Sequence, residues 1–156
     1  MNIRPARVDD VPRVLPMVGQ ICALHKSWDP AKYSFCDNPA EMYRGWLASR
    51  ARDARSVFLV AEREEKLVGF LVATIEPEIP IYTIERYGFI HDVWVEPAYR
   101  NEGLARQMVM LAIERFKELG LPQVRLDTAA ANDPARSLFA ACGFRVSTIE
   151  MLIELT

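Results

Sequence analysis

The stretch VWVEPAYRNEGLAR, residues 93–106, contains the end of a strand, a short turn and the beginning of a helix. The first turn of a helix has backbone N–H groups without intrahelical acceptors and carries the positive end of the helix dipole. Gly103 leaves room for a phosphate beside the backbone, and Ala105 keeps the next exposed position small. Arg100 and Arg106 add positive charge. The stretch therefore favours a phosphate-binding loop, with a solvated helix start as the alternative.

The chain after this loop alternates between helix and strand. Apolar residues recur at helical spacing over residues 104–119, and a glycine and a proline then end the helix. Residues 124–128 predict a strand, and an Asp-Pro pair opens a last helix over residues 133–143. Residues 144–155 predict a final strand that closes the chain.

The chain before the loop predicts two helices and four strands. Two aspartates at residues 9–10 favour the start of a helix that runs to about His25, and Pro16 predicts a kink or an early end within it. An Asn-Pro pair at residues 38–39 begins the second helix. The strands are expected at residues 3–8, 56–62, 67–76 and 89–95, with the second and third joined as a hairpin.

This order of elements contains one strand–helix–strand unit, residues 89–128, inside an otherwise antiparallel set. We therefore expect an α/β fold with a mixed, mostly antiparallel central sheet and helices on both faces. The chain has 156 residues and shows no internal repeat, low-complexity tract or linker. A single domain over residues 1–156 is the resulting expectation.

Composition argues against several other classes of function. Hydrophobic residues make up 51% of the chain and the net charge is -2, so nothing indicates disorder or a nucleic-acid partner. The sequence lacks the pattern of a signal peptide, and no apolar run is long enough to span a membrane. The three widely spaced cysteines indicate reduced thiols in a cytoplasmic protein, and no Cys/His cluster has metal-ligand spacing.

Two segments carry a resemblance to a known family. The pattern Arg-x-x-Gly-x-Ala at residues 100–105 follows a strand that ends Val-x-Val-x-Pro, and a helix runs from Asn132 through Phe139 to a Gly-Phe pair. Together with the order of elements, these features resemble the GNAT superfamily of N-acetyltransferases. The resemblance implies a fold in which the parallel strands, 89–95 and 123–128, splay apart to make a slot for acetyl-CoA.

The resemblance also implies how acetyl-CoA is held. Backbone groups of Val93 and Val95 would pair with the pantetheine arm as an added strand does. The thioester carbonyl would face a backbone N–H near Val93, and Asn132 and Phe139 would line the far side of the cofactor. The pyrophosphate would be bound by the loop residues Arg100, Asn101, Glu102, Gly103, Leu104, Ala105 and Arg106.

Amide formation from a thioester requires a base more than an acid. An amine of the lysine type has a pKa near ~10.4 and must lose a proton before it attacks, whereas a thiolate, with a pKa around 8.5, leaves without much help. His91 lies on the strand that presents the acetyl group, so it is the candidate base or water-positioning residue. A half-buried histidine that packs or recognises substrate is the alternative. Strand alternation puts His91 and Val93 on one face and Asp92 on the other, unless a bulge shifts the register.

The resemblance also bears on the general acid. Many members of the family carry a tyrosine as the acid where this chain has Phe139, which cannot donate a proton, and this leaves Tyr99, Tyr82, Tyr87 or water for the role. The same departure supports a second hypothesis, a non-catalytic acyl-CoA-binding or sensing module. His91 and the intact loop favour the first hypothesis, an enzyme that moves the acetyl group directly in a ternary complex.

Aromatic side chains are the candidates for binding the acceptor. His25, Trp28 and Tyr33 lie in or near the loop after the first helix, which the family geometry places over the acceptor side of the slot. Tyr82 and Tyr87 belong to an aromatic connection, and plain packing is the alternative for all five. Such residues favour a closed pocket, and therefore a small primary amine over a protein amino terminus or lysine. The apolar residues 151–153 are compatible with a homodimer.

Overall fold

The computed structural model describes all 156 residues of the chain. Short 3-10 turns at Val8–Asp10 and Pro97–Tyr99 lie ahead of the first and third helices. The four helices are α1 (Val11–Trp28), α2 (Pro39–Arg52), α3 (Leu104–Glu118) and α4 (Asp133–Ala141). The five strands are β1 (Asn2–Pro5), β2 (Val57–Arg63), β3 (Lys66–Pro77), β4 (Arg86–Val95) and β5 (Val124–Leu126).

The strands form one sheet in the order β1-β2-β3-β4-β5. Neighbours are antiparallel except β4 and β5, which are parallel because α3 carries the chain back across the sheet. Helices α1 and α2 cover one face, where Phe70 and Trp94 are buried, and α3 covers the other, where Met108 and Phe116 are buried. We call these the α1–α2 face and the α3 face. The predicted mixed sheet with helices on both faces is confirmed.

Helix α1 begins beside a buried ion pair and continues through a proline. The Asp10 carboxylate accepts hydrogen bonds from the Arg7 N–H at 2.8 Å and from the Arg4 guanidinium at 2.7 and 3.0 Å. The Arg4 hydrogen bonds are the main reason that the pKa of Asp10 lies below its ordinary value. The expected early end at Pro16 is wrong, because the helix runs unbroken to Trp28. Burial of seven apolar side chains of α1 outweighs the hydrogen bond that the proline removes.

Strands β4 and β5 pair over a short length only. Gly88, Phe89 and Ile90 pair with residues 124–126, after which β5 ends and β4 continues to Val95. The last part of β4 therefore has β3 on one edge and no strand on the other. The parallel pair thus parts as predicted, and it leaves a gap beside the carboxyl end of β4.

A β-bulge interrupts β4 at His91. The register pairs Val72 with Asp92 but the next residue of β3 with Ile90, so His91 has no partner. The extra residue puts both His91 and Asp92 on the α1–α2 face, where the His91 ring contacts Trp46 of α2. The alternation expected from the sequence, which separated these two side chains, is wrong because of the bulge.

The carboxy-terminal residues 144–156 form no strand, so the expected final strand is wrong. Apolar side chains alternate there as they would in a strand, and Ile149, Met151, Ile153 and Leu155 are between 82% and 91% exposed. A strand is stable only when its backbone pairs with another strand, and β5 offers an edge of three residues. The sequence pattern is that of a strand, but this segment has no partner in the fold.

Candidate active site

The loop before α3 presents a row of free backbone donors. Asn101 and Gly103 have positive φ angles of 64° and 76°, the left-handed conformations from which anion-binding nests are built. The helix ladder begins with the Gln107 N–H, which donates to the Gly103 carbonyl at 3.0 Å. The N–H groups of residues 101–106 have no acceptor. Unpaired N–H groups at the amino end of a 15-residue helix can bind a phosphate.

The two arginines of this loop have different surroundings. Arg100 is fixed to the end of β4, because its Nε donates to the Val95 carbonyl at 2.8 Å and its guanidinium lies 4.7 Å from the centre of the Trp94 ring. Arg106 is exposed on the first turn of α3. Arg100 therefore anchors the loop to the strand, and Arg106 supplies charge beside the free N–H groups.

The other loop residues have structural roles that leave the donors accessible. Leu104 is buried in the core of the α3 face, and Ala105 packs at its edge. Glu102, whose charge would repel a phosphate, has its carboxylate 3.6 Å from the Arg63 guanidinium. An ion pair of this kind between exposed side chains is weak, but it offsets the negative charge next to the loop.

The free edge of β4 carries unpaired backbone groups. The Glu96 N–H donates to the Val68 carbonyl of β3 at 2.8 Å, so alternation turns the backbone of Val93 and Val95 toward the opposite edge. The Val95 carbonyl accepts from Arg100, whereas β5 has already ended before it could pair with Val93. The gap beside β4 is therefore lined by backbone groups that an extended ligand can pair with.

Asn132 and Phe139 lie on the α4 side of the gap. The Asn132 side chain caps α4, since its Oδ1 accepts a hydrogen bond from the Ala135 N–H at 3.2 Å. The Phe139 ring packs edge-to-face against Phe144, with 5.8 Å between ring centres. Phe139 and Val93 both pack against the core of the α3 face.

His91 is held by contacts from three elements. Its ring centre lies 5.0 Å from that of Trp46 of α2 and 5.0 Å from that of Phe89 of β4, both edge-to-face. Its Nε2 lies 2.6 Å from the Thr74 hydroxyl oxygen of β3. Burial lowers the pKa of His91 below its ordinary value, and nearby Glu76 only partly opposes this effect. The imidazole is therefore neutral, and able to accept a proton, at neutral pH.

Asp92 is a carboxyl group that the sequence analysis did not assign to the site. Its Oδ2 has no hydrogen-bond partner and no exposed surface. Burial raises the pKa of Asp92 to about 6, although His25 of α1 and Tyr43 of α2 lie close enough to lower it in part. Two polar residues in succession within a central strand were the signal for a bulge. The structure thus brings His25 near the Asp92 carboxyl, on the same face of the sheet as His91.

We expect Asp92→Asn to raise the free energy of unfolding at pH 7 by roughly 1–3 kcal/mol, because one pKa unit corresponds to about 1.4 kcal/mol. Folding raises the pKa of Asp92 from 3.8 to about 6, so the native state of the unaltered protein loses stability as the pH rises through that window. The difference in the free energy of unfolding between the two proteins should be near zero at pH 4 and should reach its full value above pH 7. Denaturant unfolding at several pH values measures it, and a less stable variant at pH 7 would show that the carboxylate is satisfied in the fold.

Three of the expected acceptor-binding residues cluster at the end of α1. The His25 ring lies edge-to-face against Trp28 and Tyr33, with ring centres 5.3 and 4.7 Å away. Its Nδ1 lies 2.8 Å from the Ile21 carbonyl, which can only accept, so Nδ1 carries a proton. Because His25 also influences the pKa of Asp92, this aromatic cluster borders the same side of the sheet as the β4 bulge.

Tyr82 and Tyr87 are not part of that cluster. Tyr82 lies in the turn between β3 and β4 and is 57% exposed. Tyr87 lies near the start of β4, where the Arg125 guanidinium stacks 3.9 Å from its ring centre and also pairs with Glu78 at 2.7 Å. The structure therefore groups these tyrosines with the paired end of β4, and the aromatic cluster of α1 with the bulge.

The remaining sequence-based expectations concern metals, cysteines and membranes. No group of three or more His, Cys, Asp or Glu side chains is arranged to hold a metal ion. The three cysteines are unpaired, and burial raises the pKa of the Cys22 thiol. No helix combines the length and the apolar character that a membrane crossing requires.

The mixed sheet, whose parallel strands part beside a helix with free N–H groups, forms a binding site for an extended, phosphate-bearing ligand. The family model of the GNAT acetyltransferases matches residues 20–144 of the chain. The match covers the second half of α1, all of α2, α3 and α4, and every strand except β1, including the loop and the β4 bulge. The chain therefore belongs to the acetyltransferase (GNAT) family, whose members use acetyl-CoA.

Individual relatives agree with this assignment. The chain is 28% identical over 112 residues to human N-acetyltransferase 8, a match that covers 72% of the chain but only 47% of that protein. It is 24% identical to the uncharacterized N-acetyltransferase YhfO of Bacillus subtilis, over 95% of the chain and 92% of that protein. The crystal structure of a mutant of the BH1408 protein of Bacillus halodurans has the same fold, with a TM-score of 0.87, 23% identity and full coverage of both chains.

Proposed function

We propose that this protein transfers the acetyl group of acetyl-CoA to the primary amine of a small molecule, by direct attack in a ternary complex. The observation that carries the proposal is the row of free N–H groups over residues 101–106, which leads to the unpaired edge of β4. A ligand with a phosphate group and an extended arm can bind both features, the phosphate at the free N–H groups and the arm along the edge of β4. One domain over residues 1–156 would contain the whole site.

The proposed cofactor position follows the free donors along the chain. The pyrophosphate would accept hydrogen bonds from residues 101–106 and face the charge of Arg106, while Arg100 holds the loop. The pantetheine arm would pair with the backbone of Val93 and Val95, on the edge that β5 leaves free. Asn132 and Phe139 would line the opposite side of the arm.

The chemistry assigned to the site is a single acyl transfer. The amine nitrogen attacks the thioester carbonyl carbon, the carbon–sulfur bond breaks, and the sulfur leaves with the electron pair of that bond as a thiolate. The Val93 N–H would stabilise the oxyanion that forms in between. His91 takes the proton from the amine, directly or through one water, since its lowered pKa keeps it unprotonated at neutral pH.

The leaving group needs no tyrosine in this account. Phe139 packs against Phe144 and has no proton to give, and Tyr82 and Tyr87 lie at the other end of β4. A thiolate with a pKa around 8.5 is a stable leaving group and can take its proton from water. Tyr99, half-buried with its ring 5.7 Å from the Arg63 guanidinium, is the remaining side-chain candidate for an acid.

The acceptor side of the site favours a small amine with a cationic or aromatic character. The cluster of His25, Trp28 and Tyr33 offers aromatic faces, on which a protonated amine or an aromatic ring can stack. Asp92 and Glu76 supply negative charge on the same face of the sheet. A protein amino terminus or a lysine side chain is the alternative acceptor.

An assay of thiol release against a panel of amines tests this function. The panel combines aromatic and aliphatic small amines with peptides that have a free amino terminus or a lysine. We expect acetyl-CoA to lose its acetyl group only when a suitable small amine is present, and mass spectrometry to find that amine acetylated. Tight binding of acetyl-CoA with no thiol release for any acceptor would favour the non-catalytic module. That hypothesis is suggested by Phe139, which stands where a tyrosine acid is expected.

We also propose that the protein is cytoplasmic, on the basis of its reduced cysteines, and that it forms a homodimer. The dimer would use the carboxy-terminal segment, whose apolar side chains at residues 149–155 are exposed. Exposed apolar side chains in this number favour burial against another surface. No nucleic acid, membrane or metal takes part in the proposed reaction.

A further inference from the structure

Thr74 is a polar residue in an apolar environment. It lies on β3 and is 4% exposed, and with Asp10 it is one of two polar or charged residues that are buried as whole residues, since Asp92 is only half-buried. The other, Asp10, forms the ion pair with Arg4 at the start of α1. Burial of a hydroxyl group is unfavourable unless it is hydrogen-bonded, so the partners of Thr74 indicate why it is there.

Both partners of the Thr74 hydroxyl belong to the α1–α2 face. Its Oγ1 lies 2.6 Å from Oε1 of Glu76, two residues further along β3, and 2.6 Å from Nε2 of His91 on β4. Oε1 of Glu76 also lies 3.7 Å from Nε2 of His91. The three side chains therefore form one connected group, and the hydroxyl stands between the carboxylate and the imidazole.

The direction of these hydrogen bonds follows from the protons available. An ionised carboxylate has no proton, so Thr74 must donate its single hydroxyl proton to Glu76. The Thr74 oxygen is then only an acceptor toward His91, and the hydrogen bond requires a proton on Nε2. In the neutral ring the other nitrogen, Nδ1, consequently carries the lone pair.

We propose that Thr74 and Glu76 are positioning residues that hold His91 in its Nε2–H tautomer and make Nδ1 the atom that accepts the proton of the acceptor amine. This inference rests on the proposed function of His91 as the base. Glu76 aligns the hydroxyl, the hydroxyl fixes the ring, and the positive charge that forms on the ring is stabilised by the Glu76 carboxylate. The bulge at His91 is what aims the ring at this pair.

The charged and titratable groups around His91 come from four elements. Glu76 of β3 raises the pKa of His91, and Arg50 of α2 lowers it. Asp92 follows it on β4, and His25 of α1 lies beside Asp92. The two aromatic side chains that pack on the His91 ring, Trp46 and Phe89, carry no charge. Glu76 is therefore the group whose charge can be removed to move the pH dependence of His91.

The tautomer can be measured directly. Long-range proton–nitrogen correlation spectra of the nitrogen-labelled protein distinguish the two neutral forms, and the chain has only two histidines to assign. At a pH well above the His91 titration, we expect the unaltered protein to show the Nε2–H form for His91. A neutral His91 with the proton on Nδ1 would overturn the proposal, whether or not the enzyme is active on any amine.

Matched variants separate positioning from mere packing. Thr74→Val keeps the shape but removes the hydroxyl, and we expect turnover to fall roughly 10-fold, a part of the ~10²–10⁴-fold that a positioned base contributes. Thr74→Ser should restore most of the rate. The acetyl-CoA KM should stay the same, because Thr74 lies on β3, away from the loop and the free edge of β4. An unchanged rate in a folded Thr74→Val protein would overturn the proposal.

Glu76→Gln is the second variant, on a half-exposed side chain where the fold tolerates change. The amide oxygen can still accept from Thr74, but the negative charge is lost. We expect the inflection of the rate with pH to move to lower pH, since Glu76 raises the pKa of His91. An inflection that does not move would contradict the role of Glu76. If His91→Ala itself keeps full activity, the assigned base is wrong, whereas the spectra still decide the tautomer.

Discussion

Gly103→Glu should abolish the rise in melting temperature that acetyl-CoA gives to the unaltered protein. A ligand at about 100 times its Kd stabilises the native state by about 2.7 kcal/mol, which for a chain of this size corresponds to roughly 5–10 °C. The glutamate would put bulk and negative charge in the middle of the loop donors, where Gly103 has a φ of 76°. Thermal unfolding with and without acetyl-CoA measures the effect.

Gly120→Glu is the matched control for this change. Gly120 follows the other end of the same helix, has the same φ of 76°, and would have no atom within 4 Å of an added Cβ. Both variants therefore carry the same backbone strain and the same added charge. We expect Gly120→Glu to melt at a lower temperature but to keep the full shift with acetyl-CoA. A full shift in a folded Gly103→Glu protein would show that the phosphates bind elsewhere.

His91→Ala should lower turnover at saturating acetyl-CoA by roughly 10²-fold or more, the contribution of a positioned base. In the unaltered enzyme, turnover should rise with pH as the imidazolium loses its proton, and then level off. Because burial lowers the pKa of His91, this inflection should lie below the usual value of about 6.5. The alanine variant should lack the inflection, and its affinity for CoA should hardly change, since His91 is remote from the phosphate-binding loop.

Two further variants test whether the inflection in the pH profile belongs to His91. His91→Glu should recover part of the rate, because a carboxylate in the same place can also accept a proton. Asp92→Asn removes the other group that titrates in this range, since the pKa of Asp92 is raised to about 6. The inflection should survive in Asp92→Asn if His91 is the base. A raised acceptor KM with unchanged kcat in His91→Ala would instead make His91 a recognition residue.

The loop and the order of elements could be predicted from the sequence because they depend on local signals. A glycine at a helix start, the helical spacing of residues 104–119 and the Asn132 cap each act within a few residues of the chain. The hairpin of β2 and β3 is equally local. These signals sufficed for the mixed sheet, whereas the parting of β4 from β5 was expected only from the resemblance to the GNAT family.

The arrangement of the catalytic face could not be predicted because it depends on register between strands. One extra residue at His91 moves Asp92 to the same face, and the β3 sequence alone does not say that Thr74 will lie opposite the bulge. The prediction of a final strand was wrong for a related reason. Its alternating pattern at residues 149–155 is that of a strand, but a pattern does not supply the edge that a strand must pair with.

The Asp92 carboxyl lowers the stability of the folded protein. Asp92 is half-buried, but its carboxylate has one buried oxygen without a partner, which destabilises the fold, so replacing it with a neutral amide should stabilise the protein. Residues that lower stability in this way concentrate at functional sites. A stability gain together with a loss of activity in Asp92→Asn would identify the carboxyl as part of the acceptor site, whereas a gain without loss would leave it as a structural feature.

A crystal structure of the protein with CoA bound tests the central claim most directly. We expect the pyrophosphate on the free N–H groups of residues 101–106 and the pantetheine arm along the edge of β4 at Val93. The sulfur should then lie in the gap between β4 and β5, with the His91 ring on the acceptor side of it. CoA bound away from the loop, or an arm that leaves the loop without following β4, would contradict the account.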